Sequence, residues 1–238
     1  MMDTLREAHH AQLFRFLAQD LAGGLTVERL ADHLSRLADI IVETALKEVW
    51  LAMPKRHRDI PRFAVIAYGK LGGKELGYAS DLDLIFLYDD DHPDAPMLYA
   101  RLAQRFITWM TSSTSAGILF DIDIALRPDG ASGLMVSSID SFERYQAESA
   151  WAWEHQALTR ARFCAGDENI GKRFEALRDR ILRQPRDRQW LRQEILKMRE
   201  KIHESHPNRS TLFDLKHDAG GMIDIEFIVQ YLVLEYSR

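Results

Sequence analysis

Two pairs of aspartates, each pair separated by one residue, are the strongest candidates for chemistry in this chain. Asp81 and Asp83 occur in SDLDLIF, and Asp121 and Asp123 occur in FDIDIAL. Alternate residues of a β-strand point to the same side, so each pair directs two carboxylates to one face. Mg²⁺ binds through a few such carboxylates together with substrate phosphates. For either pair alone, acids facing water at the end of a strand are at least as good an explanation.

A glycine-rich segment, GKLGGKELGYAS, lies between two runs of strand-forming residues at 63–68 and 82–88. Gly69, Gly72 and Gly73 follow the first run, where the absence of side chains lets backbone N–H groups approach a phosphate. The segment lacks the glycine spacing of the dinucleotide-binding fingerprint and of the P-loop. A Rossmann oxidoreductase and a P-loop ATPase are therefore disfavoured.

The order of these signals resembles that of the DNA polymerase beta-like nucleotidyltransferases: Gly72-Gly73 after a strand, then Ser80, an Asp-x-Asp motif and a later carboxylate. Four longer segments narrow the resemblance to glutamine synthetase adenylyltransferases. These segments are YGKLGGKELGYASDLDLIFLYD, ALRPDGASGLMVSS, AWAWEHQALTRAR and DLKHDAGGMIDIEFIVQYLVL. That family has two homologous halves, and GASG, WEHQAL and GGMIDIEF are more similar to the half that adds AMP.

The resemblance implies transfer of AMP from ATP to a tyrosine of glutamine synthetase, with release of pyrophosphate, as a control of nitrogen assimilation. It assigns Asp81 and Asp83 to two Mg²⁺ ions, one of them shared with Asp123, which would clamp the attacking and leaving oxygens. The acceptor phenol has a pKa of about 10, so metal coordination and Asp123 as proton acceptor would activate it. Asp123 occupies the matching family position, and Asp121 would replace it after a register shift of two residues.

The resemblance also implies nucleotide-binding roles close to these carboxylates. Gly72, Gly73 and Ser80 would cradle the triphosphate of ATP. Arg127 follows the third-carboxylate strand and could contact a phosphate, although a surface or ion-pair role is equally consistent with its position. Lys70, beside the glycines, is favoured as a solvated turn lysine.

Two other functions remain open. The first is phosphorolytic removal of AMP from modified glutamine synthetase, which is the task of the other half of that family. The second is a catalytically silent module that binds nucleotide or a PII signal protein, and the presence of Asp81, Asp83 and Asp123 argues against it. Glutamine synthetase is therefore the expected partner, with PII and the deadenylylating half of the same enzyme as further candidates.

The composition excludes several classes of protein. The 238 residues are 46% hydrophobic and 28% charged, as in ordinary globular domains, and the formal net charge of −5 provides no basic field for nucleic acid. Cys164 is the only cysteine, so an internal disulfide is excluded and a reducing cytoplasm is expected. Residues 1–15 lack the apolar run of a signal peptide, and no stretch is long enough to predict a membrane span.

Periodicity predicts the elements that position the candidate residues. Helices are predicted at 3–20, 26–53 and 98–111, and strands at 63–68, 82–88 and 118–126. Thr26 is the expected N-cap of the second helix. The predicted fold class is therefore α+β, a polymerase beta-like nucleotidyltransferase domain with a small mixed sheet, followed by a helical subdomain.

The second half of the chain reads almost entirely helical, with breaks near Gly166, Pro185 and Pro207. We therefore expect a nucleotidyltransferase domain with N-terminal helices at 1–138 and a helical subdomain at 139–238. The apolar sequence FIVQYLVLEY predicts a helix cut off from its packing partners, so the subdomain is expected to be truncated at its C-terminus. Long helices with tryptophans suit recognition of a protein acceptor.

The segment 151–162 belongs to the resemblance but receives no individual roles from it. Trp151 and Leu158 are expected to pack against other residues. The side chains that are candidates to reach the active-site cleft are Glu154, His155, Arg160 and Arg162.

Overall fold

The structure, a computed structural model, describes residues 1–237 with the exception of the Ala131 side chain. Within these residues the chain forms five β-strands and nine α-helices. The strands are β1 (Phe63–Ala67), β2 (Leu82–Tyr88), β3 (Ile122–Asp123), β4 (Val136–Ser138) and β5 (Arg162–Gly166). The helices are α1 (Met2–Leu21), α2 (Val27–Leu51), α3 (Gly69–Gly72), α4 (Ala95–Thr111), α5 (Ile139–Glu148), α6 (Ala152–Leu158), α7 (Glu168–Arg183), α8 (Arg188–Ser205) and α9 (Met222–Tyr236).

The five strands form one mixed sheet, so the predicted α+β class and small mixed sheet are confirmed. β1 pairs antiparallel with β2 on one edge and antiparallel with β5 on the other. On its remaining edge β2 pairs in parallel with both β3 and β4, with β3 beside its first residues and β4 beside its last. A parallel pairing requires a crossover connection, and α4 lies in the connection between β2 and β3.

The two predicted central strands are confirmed almost to the residue. All five residues of β1 are buried, which explains the uninterrupted apolar sequence FAVIA. β2 is buried at five of its seven positions, and Asp83 is a half-buried acid within this apolar strand. The sheet therefore holds a carboxylate at the edge of the hydrophobic core.

The strand predicted at 118–126 is largely wrong. Only Ile122–Asp123 forms a strand, because the chain is diverted on both sides of it. Before it, the amides of Leu119 and Phe120 donate to the carbonyl oxygen of Met110 at the end of α4. After it, the amide of Ala125 donates to Oδ1 of Asp123 and begins a turn. Apolar alternation alone did not distinguish a buried connection from a strand.

β5 lies in the half of the chain that was predicted to be helical, so that prediction is wrong for Arg162–Gly166. The strand is short and has lower burial than β1. Its position depends on pairing with β1, which is distant in sequence. Gly166 ends it with φ +100°, a conformation that favours glycine.

The predicted helices are confirmed as α1, α2 and α4. Thr26 is the N-cap of α2, and its Oγ1 accepts a hydrogen bond from the Arg29 amide at 3.4 Å. Leu30, Leu34 and Ile41, which recur at helical spacing in α2, are buried, and Leu37 on the same stripe is half-buried. The predicted breaks near Gly166, Pro185 and Pro207 also separate helices in the structure.

Arg6 fixes α1 against the end of α4 and the chain that follows it. Its guanidinium is completely buried and donates to the carbonyl oxygens of Gly117 at 2.8 Å, Trp109 at 2.9 Å and Ser112 at 2.6 Å. Charge-assisted hydrogen bonds of this kind satisfy carbonyl groups left open at the end of a helix. The N-terminal helix is thus tied to the segment that leads into β3.

The chain divides into two compact units. Unit 1 consists of Met1–Arg144 and Arg160–Glu175, and it contains the complete sheet. Unit 2 consists of Tyr145–Thr159 and the residues from Ala176 onward, and within it α6, α8 and α9 pack against one another. The functional division expected at residue 138 stays a prediction. In the described part of the chain, no helix has both the length and the apolar character needed to cross a membrane.

Candidate active site

Three of the four predicted aspartates lie together at the start of β2 and β3. The parallel register places Asp83 directly opposite Asp123, and Asp81 shares the face of Asp83 because it lies two residues earlier. Each of the three side chains offers a carboxylate oxygen, and these oxygens all lie within 4.8 Å of one another. This spacing is short enough for one or two divalent cations to be shared.

The electrostatics of this carboxylate group centre on Asp83. Burial and the negative charges of Asp81 and Asp123 raise the pKa of Asp83 to about 6, although the positive charges of Lys70 and Arg160 act in the opposite direction. Carboxylates held this close repel one another when they are ionised. The donor set therefore fits a hard divalent cation, which would remove that repulsion.

Gly69 lies directly beneath the carboxylate of Asp83. A Cβ atom at position 69 would stand 2.1 Å from Oδ2 of Asp83, and the φ angle of Gly69 is +55°. The neighbouring amide of Tyr68 donates to the carbonyl oxygen of Asp83 at 2.8 Å. The sequence had grouped Gly69 with glycines that approach a phosphate, but in the structure this glycine makes room for the acid.

Gly72 and Gly73 form the end of the single-turn helix α3. Their amides donate to the carbonyl oxygens of Tyr68 and Gly69, both at 2.9 Å. A Cβ atom at Gly72 would stand 2.1 Å from the carbonyl oxygen of Arg160. Glycine at position 72 is thus required for close packing of two backbone segments, and a contact of Gly72 or Gly73 with a triphosphate stays a prediction.

Ser80 closes the turn that leads into the first aspartate. Its Oγ accepts a hydrogen bond from the amide of Gly77 at 3.0 Å, and its own amide donates to the carbonyl oxygen of Gly77 at 3.2 Å. These two contacts fix the chain immediately before Asp81. The predicted contact of Ser80 with a phosphate is compatible with this position and is not tested by it.

Arg127 stabilises the turn that follows β3. Its Nη1 donates to the carbonyl oxygen of Ile124 at 2.8 Å, and its Nε donates to that of Gly133 at 3.3 Å. These contacts give the guanidinium a structural role close to Asp123. The alternative role of Arg127 as a phosphate ligand stays a prediction.

Asp121 and Asp123 have different surroundings, although both are exposed. Oδ1 of Asp123 accepts the amide of Ala125 at 2.6 Å, which orients the carboxylate. Asp121 is absent from the group of three among the described residues. It lies instead on the wall of a neighbouring cavity that also includes Asp81. The geometry is consistent with the preference for Asp123 over Asp121.

Arg160 is a basic residue whose position the sequence left open. Its Nη2 forms an ion pair with Oε2 of Glu75 at 2.8 Å. A Cβ atom at Gly73 would stand 3.3 Å from its Nε, so the side chain crosses the end of α3. Because Arg160 also acts on the pKa of Asp83, it supplies positive charge beside the carboxylates. The sequence had named Arg160 among the candidates to reach the active-site cleft, but it gave the residue no partner or role there.

Residues 151–159, which precede Arg160, belong to unit 2. Leu158 is buried as expected, but Trp151 is 63% exposed, so its predicted packing is wrong. Glu154 is buried and accepts hydrogen bonds from the Tyr145 hydroxyl at 2.9 and 3.0 Å and from the Trp151 amide at 2.9 Å. It therefore acts as an internal tie at the start of α6.

His155 is likewise held inside unit 2. It is buried, and its Nε2 lies 3.0 Å from the carbonyl oxygen of Gln146. Burial lowers the pKa of His155, the hydrogen bond to Gln146 raises it, and the Arg186 charge lowers it. The contacts of this histidine are structural. Arg162, the remaining candidate of the segment, is in unit 1 and pairs with Asp39 at 2.8 Å.

Comparison with known proteins identifies the family of this chain. The family model described as glutamate-ammonia ligase adenylyltransferase matches residues 1–177. The chain is 63% identical over 237 residues to a protein of Aromatoleum aromaticum and 62% identical over 240 residues to one of Ralstonia nicotianae. Both are named bifunctional glutamine synthetase adenylyltransferase/adenylyl-removing enzyme.

The matches cover the whole of this chain or nearly so, with 100% for the first relative and 99% for the second. A protein of the same name from Nitrosomonas europaea is 59% identical over 237 residues. The chain spans about a quarter of the length of these curated relatives, 25 to 26% of each. On the strength of the family match over most of its length, the chain belongs to the glutamate-ammonia ligase adenylyltransferase family.

Proposed function

We propose that this chain carries a nucleotidyltransferase site of polymerase beta-like type that moves AMP from ATP to a tyrosine of glutamine synthetase. The observation that carries the proposal is the convergence of Asp81, Asp83 and Asp123 in a member of an adenylyltransferase family. The names of the relatives include glutamine synthetase adenylyltransferase. A silent nucleotide-binding module has no need of three crowded carboxylates, whose repulsion costs stability.

The three carboxylates would hold Mg²⁺, which would supply charge neutralisation and alignment for an in-line displacement at phosphorus. Asp81 and Asp83 come from one strand and Asp123 from its parallel neighbour, so a rigid sheet fixes their spacing. We assign Asp123 to accept the proton of the acceptor tyrosine. Its Oδ1 is oriented by the Ala125 amide, and the carboxylate is exposed, so a protein side chain can reach it.

Lys70 and Arg160 would supply positive charge for the triphosphate. Both are close enough to Asp83 to lower its pKa. Gly72, Gly73 and Ser80 would border the same phosphates, because they form the turns that flank the carboxylates. Polyphosphate bound there would compete with Glu75 for the guanidinium of Arg160, since phosphates and carboxylates both accept charge-assisted hydrogen bonds from arginine. Arg127 is assigned to the turn after β3, with a phosphate contact as the alternative.

The helical residues of unit 2 are proposed to recognise the protein acceptor. They include the exposed Trp151 and the exposed apolar side chains Ile225, Ile228 and Val229 of α9. Exposed aromatic and apolar residues are typical of protein-binding surfaces. Glutamine synthetase in the cytoplasm is the proposed partner, and PII and a second catalytic half of a longer enzyme are further candidates.

Transfer of label from ATP to glutamine synthetase tests the proposal. With Mg²⁺ present, α-labelled ATP should label glutamine synthetase, and γ-labelled ATP should not, because the β- and γ-phosphates leave as pyrophosphate. Asp83→Asn should abolish labelling, whereas Asp91→Asn, at an exposed acid beyond the end of β2, should not. Label from the γ-position, or unchanged labelling by Asp83→Asn, would contradict the proposal.

The reverse task is the second candidate, because the names of the relatives include an adenylyl-removing activity. The chain would then use inorganic phosphate to release ADP from adenylylated glutamine synthetase. Incubation of adenylylated glutamine synthetase with the chain, Mg²⁺ and phosphate measures this directly. Release of ADP without any labelling in the forward assay would favour the removing activity.

A further inference from the structure

A cavity of about 630 Å³ opens beside the carboxylate group in unit 1. Its wall is formed by three segments, namely α1 with His9, His10 and Leu13, the turn 78–81, and the stretch 118–121. We call it the α1 cavity. Its volume lies within the range of roughly 300–1,000 Å³ that is typical of small-molecule sites. Because Asp81 lines the α1 cavity and also belongs to the carboxylate group, the two are contiguous.

His9 is an unpartnered polar group in the wall of the α1 cavity. Its side chain is only 3% exposed, and in the described part of the chain neither Nδ1 nor Nε2 has a hydrogen-bond partner. Its ring packs against that of Phe120 with 4.7 Å between centroids. A buried polar group without a partner is costly and rare. Both nitrogens are also closed to solvent, so a ligand in the adjoining cavity would supply the missing hydrogen bond once the imidazole ring turns toward it.

The chemistry of His9 suits a nucleobase. Burial, and to a smaller extent the neighbouring His10, lower the pKa of His9 to about 4, so the imidazole is neutral at pH 7. A neutral imidazole has one N–H donor and one nitrogen acceptor, and the edge of adenine likewise offers an amino donor beside ring-nitrogen acceptors. The rings of His10 and Tyr78 also line the cavity, and aromatic rings stack on bases.

The distribution of basic residues around the site indicates where each end of a nucleotide would bind. No Lys or Arg is found among the residues that line the α1 cavity, all of which are described. The cations Lys70 and Arg160, which act on Asp83, are therefore available to a polyphosphate outside this cavity. Asp123, assigned to the acceptor tyrosine, does not line the cavity either. The α1 cavity is thus left for the uncharged part of the nucleotide.

We propose that the α1 cavity binds the adenosine part of ATP, with His9 forming a hydrogen bond to the base. The inference rests on the proposed function, because it takes the α-phosphate of ATP to lie at the carboxylate group. It makes α1 a part of the active site in addition to a packing helix. The tie between Arg6 and the chain around α4 would then hold the base-binding wall in place.

Calorimetric titration of the chain with Mg²⁺-ATP and with Mg²⁺-tripolyphosphate tests the inference, because tripolyphosphate has no base. His9→Phe keeps the ring volume and removes both nitrogens. Ala79→Phe narrows the α1 cavity from an exposed position, so the core is undisturbed. Ala11→Phe, also at an exposed position but outside the cavity lining, is the matched control.

The first two variants should weaken ATP binding by roughly 3- to 10-fold, the cost of one hydrogen bond or a narrowed site, and leave tripolyphosphate binding unchanged. Ala11→Phe should alter neither. Equal weakening of both ligands, or unchanged ATP binding in both variants, would overturn the inference. An increased KM for the protein acceptor with unchanged ATP binding would assign the cavity to the acceptor instead. If the wild-type chain binds neither ligand, the proposed function itself fails.

Discussion

Asp83 on β2 and Asp123 on β3 are direct partners in a parallel pairing that is only two residues long. The site thus joins a rigid strand to a very short one. Asp83 is fixed in a strand that is buried on most of its length, whereas Asp123 is followed at once by a turn. A cation bound between them would therefore stabilise the pairing of β3 as well as its own ligands.

Replacement of Asp83 by asparagine should separate activity from stability. Asp83→Asn keeps the volume of the side chain but removes one of three crowded charges. We expect AMP transfer to fall by about two orders of magnitude or more, while the thermal midpoint in the presence of a chelator stays equal to the wild-type value or rises. Adding Mg²⁺ should raise the midpoint of the wild type only. Scanning calorimetry with and without Mg²⁺, together with the label assay, measures both effects.

The third carboxylate can be identified by comparing two neighbouring aspartates. Asp123→Asn should reduce transfer by about two orders of magnitude, because it removes a carboxylate of the group of three. Asp121→Asn should reduce it at most severalfold, since Asp121 lies outside that group. Steady-state rates of the two variants at saturating ATP decide the assignment. A larger loss for Asp121→Asn would mean that β3 is shifted by two residues in the active enzyme.

Gly69 should be intolerant of any side chain because of Asp83. In Gly69→Ala the new Cβ would stand 2.1 Å from Oδ2 of Asp83, so the carboxylate must move. Gly23→Ala is the matched control, because Gly23 also has a positive φ, +71°, but nothing lies within 4 Å of its Cβ position. Each variant should lose about 1 kcal/mol of stability from backbone strain. Only Gly69→Ala should lose transfer activity, by at least about tenfold.

The sequence predicts the central part of this site because its signals are local. Strand alternation places Asp81 and Asp83 on one face, and the glycine-rich turn before them marks the edge of the sheet. The runs FAVIAY and LDLIFLY identify β1 and β2, since buried strands are rich in β-branched, aromatic and other apolar residues and Asp83 is the one acid in either run. The pairing that places Asp123 opposite Asp83 joins segments that are distant in sequence. Asp123 was therefore assigned from the family resemblance.

The parts that the sequence did not predict depend on contacts between distant segments. β5 is as long as β1 but is only partly buried and lacks its continuous apolar run, and it exists through pairing with β1. Arg160 precedes that strand, so its position beside Glu75 follows from the pairing. The contact of Gly69 with Asp83 requires two strands and the turn between them to be assembled. His9 was read as part of a helix, and only the fold shows that it lacks a partner.

Asp90 should make the free energy of unfolding depend on pH in the acidic range. Burial raises its pKa, but hydrogen bonds from Tyr99, His57 and the His92 amide and the charge of Arg58 outweigh burial and lower the pKa to about 2. A carboxylate with a lowered pKa stabilises the fold above its unfolded pKa of about 4 and loses this effect as the pH falls toward 2. Asp90→Asn should therefore be less stable than the wild type at pH 7, by roughly 2 to 4 kcal/mol.

The Asp90 effect is measured by urea unfolding of the wild type and Asp90→Asn at several pH values. The difference between the two proteins should be constant from pH 7 down to about pH 5 and should shrink below about pH 4. Asp94→Asn, at an exposed acid near by in sequence, should follow the wild type throughout. A difference that stays constant down to pH 2 would show that the contacts of Asp90 do not depend on its charge.

Two substitutions in the segment before β5, one in each unit, should separate nucleotide binding from acceptor binding. Arg160 belongs to unit 1 and acts on Asp83, so Arg160→Ala should weaken binding of ATP and of tripolyphosphate by about tenfold, the effect of one lost charge-assisted contact. Trp151 belongs to unit 2 and is 63% exposed, so Trp151→Ala should leave ATP affinity unchanged and raise the KM for glutamine synthetase by a similar factor. Calorimetry with ATP and initial rates at varied acceptor concentration measure the two effects on each purified variant. Loss of ATP affinity in Trp151→Ala would contradict the assignment of Trp151 to acceptor binding.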